Sequence, residues 1–399
     1  MKSLAIVMVA ACPFPSNHGG AASIREMSEA LSSRGHKVHV VTYPINQQIP
    51  VDGVTVHTAG NMFRNKKVSV GPTYYKPLLD LLLVHKVRKI IEQESIDIIH
   101  AHNYEGAIVG YIAKKFTRRP MLYNAVNNMI DELPSYNFIK PEILSIGLAN
   151  MLDKYIPRMG DYITVVSEEL YDFLSKKGIP RDLMSIIPAG VNTEMFGCKD
   201  RDLMRNKYNI GARPLVVYTG TLSPFQRVDL LLKAMRVVVD RIKDAVLLVV
   251  GNIINPKDLD DHMRLTVDLG LKNNVIFTEE CPLDEIPYFL ASADVTVVPR
   301  PFCPGFPVKL LNYMAAGKAI VTFEGSEKGL INMHNAIIVK GYDCEGFGKA
   351  IITLINDPEL SERLGVNAKK AIKGNFDWST LAIRIEEIYY KILNRGNKK

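Results

Sequence analysis

The sequence predicts an α/β fold with doubly wound parallel sheets in two domains, and three observations carry that prediction. The length, 399 residues, favours two domains, each large enough for its own core. Near the start, residues 4–42 run as strand, loop, helix, strand, the opening of a doubly wound sheet. Far downstream, residues 294–321 (DVTVVPRPFCPGFPVKLLNYMAAGKAIV) follow the same order and form one βαβ unit.

In the first domain, residues 4–11 read as a buried first strand. They end in Val9-Ala10-Ala11-Cys12, which mimics a lipoprotein cleavage site, but the apolar run is short and its start weakly basic. A loop with Pro13, Pro15 and Gly19-Gly20 follows; it is not GxGxxG, so a dinucleotide fingerprint is absent. Ile24, Met27 and Leu31 set a helix over 21–34, with Gly35 as its stop, and 37–42 is the second strand. Residues 45–75 read as irregular, and 77–94 as an amphipathic helix with a basic edge (Lys86, Arg88, Lys89). Residues 96–101 form a strand leading into HAHNYEG. His100 and His102 are expected to face opposite ways, which argues against a metal pair; either is a core histidine or a group entering a cleft. A short strand at 121–123 precedes NAVNNMIDELPSY, and 161–167 is expected to be the last strand of the domain.

The second domain opens with a strand at 215–218 and Thr219-Gly220-Thr221. Helices at 228–239 and 259–269 alternate with strands at 245–250, ending in Gly251, and 275–277. The tail from 375 holds the single tryptophan, Trp378, and a helix with Leu381, Ile385, Ile388 and Ile392 on one stripe.

Composition narrows the function. Hydrophobic content of 47% and charged content of 23% are those of a globular protein, and no apolar run approaches the roughly 18 residues of a membrane span. Five scattered cysteines with no CxxC pair argue against zinc or redox chemistry and for a reducing cytoplasm. The formal charge is +7, and residues 1–120 hold 15 Lys/Arg against 8 Asp/Glu. A basic first domain suits anionic lipid at the inner face of a membrane or an acidic acceptor, and no nucleic-acid module accompanies it.

The chemistry concentrates at 294–321. A strand at 294–299 leads through Arg300, three prolines and Gly305 into a helix whose first position suits Pro307 and whose end suits Gly317. A helix N-terminus at the carboxyl end of a parallel strand is an anion site. Arg300 and Lys309 flank it, and Gly305 permits close backbone approach. Lys309 and Asn312 are three apart and share a face, which suits a phosphate at the helix start and a hydroxylated group beside it.

On these residues the chain resembles the retaining GT-B glycosyltransferases of family 4 (glycosyl transferases group 1). HGGAAS, RGHKVHVVT, PAGVNTEMF and PGFPVKLLNYMAAG carry the likeness. It implies two Rossmann-like domains facing across a cleft: an acceptor domain at 1–185, a linker at 186–213, a donor domain at 214–374, and a helix at 375–399 packing back on the first domain. It implies transfer of a sugar from a nucleotide-diphosphate donor, UDP-linked, to a hydroxyl acceptor in polysaccharide, glycolipid or glycoconjugate assembly. No metal or other cofactor is expected, because no DxD-like carboxylate pair sits at a strand end.

The resemblance places Gly19, Gly20, Gly220, Thr221, Gln226, Arg227, Gly251, Glu280, Gly305, Phe306, Pro307, Val308, Leu310 and Asn312 against the donor. Asn127, Arg300 and Lys309 take the catalytic positions, and His100, His102, Asn103, Tyr104 and Glu132 the acceptor. Seven positions depart from the family pattern. Pro304 and Asn312 occupy positions where the family has glutamates. Val126 stands where it has a histidine, and Asn124 where it has an aspartate. Thr221 and Gln226 replace an arginine and a lysine, and Glu279 replaces a glycine. Retaining transfer in this fold lets the leaving phosphate take the acceptor proton, so no enzymic base is strictly required. The alternatives are a degenerate GT-B binding subunit and a sugar-nucleotide epimerase.

Overall fold

The computed structural model describes residues 2–16, 19–44, 51–60, 73–136, 138–252, 255–279, 281–303 and 307–396. The chain divides into two compact units, Met1–Gly190 with Trp378–Lys399, and Val191–Asp377.

The first unit holds a seven-stranded parallel sheet. Its strands are β1 (Ala5–Ala10), β2 (Lys37–Thr42), β3 (Val54–Thr58), β4 (Ile98–His102), β5 (Met121–Ala125), β6 (Tyr162–Val165) and β7 (Met184–Ile186), in the order β3-β2-β1-β4-β5-β6-β7. Helices cover both faces, so the central strands are buried on both sides and rich in apolar residues rather than alternating, with His100, His102 and Asn124 as buried polar exceptions. Ile6 and Met8 of β1 pack with Ile24, Met27 and Leu31 of the Gly19–Ser33 helix and with Leu381 and Ile385 of the Trp378–Gly396 helix. Val7 and Val9, one residue out of phase, pack on the other face with Leu79, Leu83 and Val87 of the Lys76–Gln93 helix. The C-terminal helix is therefore part of this unit's core. Trp378 Nε1 donates to Glu26 at 2.7 Å, and the buried Glu386 carboxylate accepts from Arg34 Nε at 2.8 Å.

The second unit repeats the plan with six parallel strands: β8 (Leu215–Thr221), β9 (Val246–Asn252), β10 (Val275–Phe277), β11 (Val295–Val298), β12 (Ala319–Phe323) and β13 (Ile337–Val339). Their order is β10-β9-β8-β11-β12-β13. Leu231, Met235 and Val238 of the Val228–Arg241 helix pack against Phe347 and Ile351 of the Cys344–Asn356 helix over this sheet. In each sheet the winding reverses beside the first strand, between β1 and β4 and between β8 and β11. Ligands of doubly wound sheets bind at such reversal points, at the carboxyl ends of the strands.

Three sequence expectations need correction. The first sheet does not end at 161–167, because β7 pairs in parallel with β6; its three residues carry too little periodicity to register as a strand. β3 lies inside the stretch read as irregular; it is an edge strand with no residue fully buried, so it lacks an apolar run. His100 and His102 do not face opposite ways. Residues two apart on a strand return to the same face, and their rings stack with centroids 4.3 Å apart. The helix after Arg300 begins at Val308, with Pro307 as its N-cap, and Gly317 leaves it at φ +66°. Among the described residues no helix is long and apolar enough to cross a membrane.

Candidate functional site

In the first unit, the carboxyl ends of β1 and β4 form the floor of a pocket of about 170 Å³. Ala11, Cys12 and Pro13 come from the end of β1, and Asn103, Tyr104 and Glu105 from the end of β4. Asn103 takes φ +61° at the point where β4 turns into the Asn103–Thr117 helix, a left-handed geometry that Asn accepts more readily than most residues. Asn127, Met129, Glu132, Leu133 and Tyr136 supply the opposite wall. Buried Asp153 fixes that wall: its carboxylate accepts from Tyr104 Oη at 2.5 Å and from the Met129 and Ile130 N–H groups at 2.8 and 3.1 Å.

The pocket sets a few polar and acidic groups among apolar walls. Asn127 Oδ1 is buried and, among the described residues, has no hydrogen-bond partner. Glu132 accepts from Tyr136 Oη at 2.5 Å, and burial raises its carboxyl above the usual range, with Glu105 adding to the rise. Lys76 lies 3.8 Å from Glu105. Burial pushes the Cys12 thiol up to about 12, so it is no nucleophile at neutral pH.

Four of the expected residues therefore meet here: Asn103, Tyr104, Asn127 and Glu132. His100 and His102 do not. Both are buried under the C-terminal helix side of the sheet, where His100 Nδ1 meets Tyr389 Oη at 2.7 Å and His102 Nδ1 meets Asn124 Nδ2 at 3.2 Å. Burial holds both rings neutral, with His102 lowered to about 3. They are core histidines, not acceptor ligands. Sequence reasoning missed Lys76, Glu105 and Tyr136. Glu105, in the first turn of a helix at a reversal point, carried a readable signal; Lys76 and Tyr136 become neighbours of the pocket only through packing.

In the second unit, Lys309 is the centre of the site. The Val308–Ala315 helix is laid against the end of β8 by Tyr313, whose hydroxyl accepts from Thr219 N–H at 2.8 Å. Lys309 Nζ donates to Tyr218 Oη and to Gln226 Oε1, each at 2.9 Å, and lies 4.1 Å from the centre of the Tyr218 ring. Tyr218 Oη in turn donates to the Thr221 carbonyl at 2.7 Å. Gly220 takes φ +135°, and a Cβ there would lie 2.5 Å from Lys309 Nζ; only glycine leaves the ammonium its seat. Gly251 pairs with Gly220 across β8 and β9. Burial, and then the nearby Arg300, lowers Lys309 from 10.5 to about 7. Arg300 Nε donates to the Phe302 carbonyl at 2.6 Å, and its guanidinium lies 4.9 Å from the centre of the Phe225 ring.

The other expected donor residues divide. Thr221 Oγ1 is buried and has no partner among the described residues. Asn312 and Val308 are half-buried on the same short helix as Lys309. Gln226 serves as an acceptor for Lys309. Arg227 donates to Asp229 at 2.9 and 3.0 Å at the start of the next helix. Leu310 is corrected, because its side chain is fully buried and its N–H donates to the Pro307 carbonyl. Gly19 starts the Gly19–Ser33 helix, and a Cβ on the exposed Gly20 would meet nothing within 4 Å. Glu280, Gly305 and Phe306 lie outside the described residues. No group of three or more His, Cys, Asp or Glu able to hold a metal occurs among the described residues.

Two family models match the chain. The model described as Glycosyl transferases group 1 matches residues 200–371, and that described as Glycosyltransferase Family 4 matches residues 18–195. The glycosyltransferase YtcC of Bacillus subtilis is 28% identical over 59% of this chain and 62% of its own length. A GDP-mannose-dependent α-(1-6)-phosphatidylinositol monomannoside mannosyltransferase of Mycolicibacterium smegmatis is 29% identical over 57% of this chain and 62% of its own. The chain thus spans under two thirds of either relative. Among solved structures, Anabaena HepE in complex with UDP and glucose matches with a TM-score of 0.75 at 19% identity, covering 96% of this chain and 99% of that one.

Proposed function

The chain belongs to the glycosyl transferases of group 1, family 4, with the GT-B fold, and from that premise we propose that it moves a sugar from a UDP-sugar to a hydroxyl acceptor with retention of configuration. The acceptor belongs to polysaccharide, glycolipid or other glycoconjugate assembly. The observation that carries the reading is the seat of Lys309 between Tyr218, Gln226 and Gly220, next to Arg300, at the reversal point of the second sheet. As the bond between the sugar carbon C1 and the diphosphate oxygen breaks, negative charge grows on the diphosphate. Cations already in place stabilise that charge without reorganising. The acceptor oxygen bonds to C1 on the same face, and its proton passes to the departing phosphate oxygen, so neither a metal nor an enzymic base enters the balance.

The first-unit pocket supplies the complementary half of the reading. Asn127 Oδ1 and the Glu132 carboxyl are acceptors suited to sugar or polyol hydroxyls. HepE supports a uridine donor, whereas the mycobacterial relative is named for GDP-mannose. A thermal-shift panel of UDP-, GDP- and ADP-sugars, with and without EDTA, separates these. A melting rise with UDP-sugars that is lost in Lys309→Ala, followed by a product with the donor's anomeric configuration by NMR, is the expected result. No shift with any nucleotide overturns the donor assignment, and binding without turnover across an acceptor panel turns the reading to a binding subunit. That last outcome is the one Val126 favours, since an apolar side chain stands at the position nearest to the family's catalytic histidine.

A further inference from the structure

The pocket of the first unit has a sign that the chain around it does not share. Residues 1–120 hold 15 Lys/Arg against 8 Asp/Glu, the balance that suited an acidic acceptor. The pocket lining instead holds two carboxyls, Glu105 and Glu132, against one ammonium, Lys76. Two more carboxyls lie just outside the lining. Asp80 accepts from Tyr43 Oη at 2.5 Å, and Asp153 accepts from Tyr104 Oη. Burial is the first cause that raises Cys12, Asp80 and Glu132, and at all three the negative charge of Glu105 outweighs the positive charge of Lys76. The start of the Asn103–Thr117 helix would ordinarily draw an anion, but Glu105 in its first turn already supplies one.

Hydrogen bonding points the same way. Three donors of the lining are already aimed at carboxylates: Tyr104 Oη at Asp153, Tyr136 Oη at Glu132, and Lys76 at Glu105, 3.8 Å away. The open atom is an acceptor, Asn127 Oδ1, which is buried and, among the described residues, has no partner. A buried acceptor left in that state is costly, and only a donor relieves it. A hydroxyl brings one donor, an ammonium brings three together with a positive charge, and an ionised phosphate or carboxylate brings none.

We propose that this pocket selects an acceptor that carries an ammonium group beside its hydroxyls, an amino sugar or amino polyol, over neutral and phosphorylated analogues. Glu132 and the Asn127 amide oxygen, on the same wall, take the ammonium, and Glu105 adds the field that draws it in. Apolar Pro13, Met129 and Leu133 are left to the carbon skeleton. Lys76 tempers the field of Glu105 without cancelling it. This assignment rests on the pocket being the acceptor site of the proposed transfer, and it adds the charge class of the acceptor.

NMR titration of the full chain, without nucleotide, with glucosamine, glucose, N-acetylglucosamine and glucose 6-phosphate at pH 7 tests it. The four probes share one ring and differ in charge. Glucosamine should bind roughly tenfold more tightly than glucose or N-acetylglucosamine, and glucose 6-phosphate should not bind. Glu132→Gln keeps the shape and an acceptor oxygen, and should bring the ratio of glucosamine to glucose affinity close to one. Glu105→Gln leaves Lys76 without its anion and should admit glucose 6-phosphate, a gain that a merely unfolded variant could not show. The proposal is overturned by glucose bound as tightly as glucosamine, by glucose 6-phosphate bound to the parent, or by no sugar bound at all. It is overturned equally by a ratio that Glu132→Gln leaves unmoved, or by a Glu105→Gln variant that still refuses the phosphate. A melting rise with UDP-sugars alongside any of these leaves the donor reading standing. Loss of that rise with the sugar preference intact strikes the donor reading alone.

Discussion

The sharpest test of the donor site is its pH dependence. Lys309 is held near 7 in the empty site by burial and by Arg300. A diphosphate beside it reverses the second cause and restores the charged form. Donor binding therefore takes up a proton whenever the free lysine is neutral. If only the charged form grips the diphosphate, affinity scales with the charged fraction. It falls roughly fivefold from pH 7 to 8 and roughly tenfold again from pH 8 to 9. A nucleotide sugar is the right probe, because its diphosphate does not titrate in this range, whereas the terminal phosphate of free UDP does. Calorimetry in buffers of different ionisation enthalpy should show uptake of about half a proton at pH 7, approaching one at pH 9. The sign is opposite for the stability of the empty protein. There the folded lysine lies below its unfolded value of 10.5, so the unfolded chain binds more protons between about 7 and 10.5, and the Lys309 contribution to stability rises with pH across that window. Lys309→Arg keeps its charge throughout and should flatten the binding profile. An affinity that is flat or rising from pH 7 to 9 in the parent refutes the reasoning.

Three further expectations concern how the sites are held. Gly220→Ala places a Cβ 2.5 Å from Lys309 Nζ at φ +135°; urea unfolding should show a loss of about 1–3 kcal/mol, with weaker donor binding by titration. Asp153→Ala strands Tyr104 Oη and two N–H groups under the pocket wall, and should cost about 3 kcal/mol by the same measurement. Glu386→Ala leaves Arg34, which reaches solvent, without its partner where the C-terminal helix joins the first unit; a loss of about 1–2 kcal/mol is expected, and a variant as stable as the parent would show that the helix is held by its apolar stripe alone.

The fold was legible because parallel strands under helices on both faces leave continuous apolar runs, and these alternate with helix-period segments along nearly the whole chain. What escaped lies at the sheet edges. β3 and β7 are short and only half-covered, so neither shows the run that marks a central strand. Lys309 was legible from local chemistry, since a helix start, a strand end and a cation coincide within a dozen residues. Its partners were not. Tyr218 and Gln226 lie 91 and 83 positions away and reach it only through the β8–β11 pairing. The histidines failed for the reverse reason. Strand-end histidines look functional in one dimension, and only the covering helix with Tyr389 shows that their face of the sheet is core.

Burial changes how the departures from the family pattern should be weighed. A lysine in place of Gln226 would set a second ammonium about 3 Å from Lys309, whereas the amide oxygen there accepts a hydrogen bond from it. Gln226 is thus built into the seat of Lys309 rather than left as a loose replacement. The same polarity separates the two reversal points. The second sheet presents donors and positive charge in Lys309 and Arg300. The first presents acceptors in Asn127 and Glu132, with Lys76 occupied by Glu105. The proposed transfer would draw its hydroxyl acceptor to the first and its departing anion to the second.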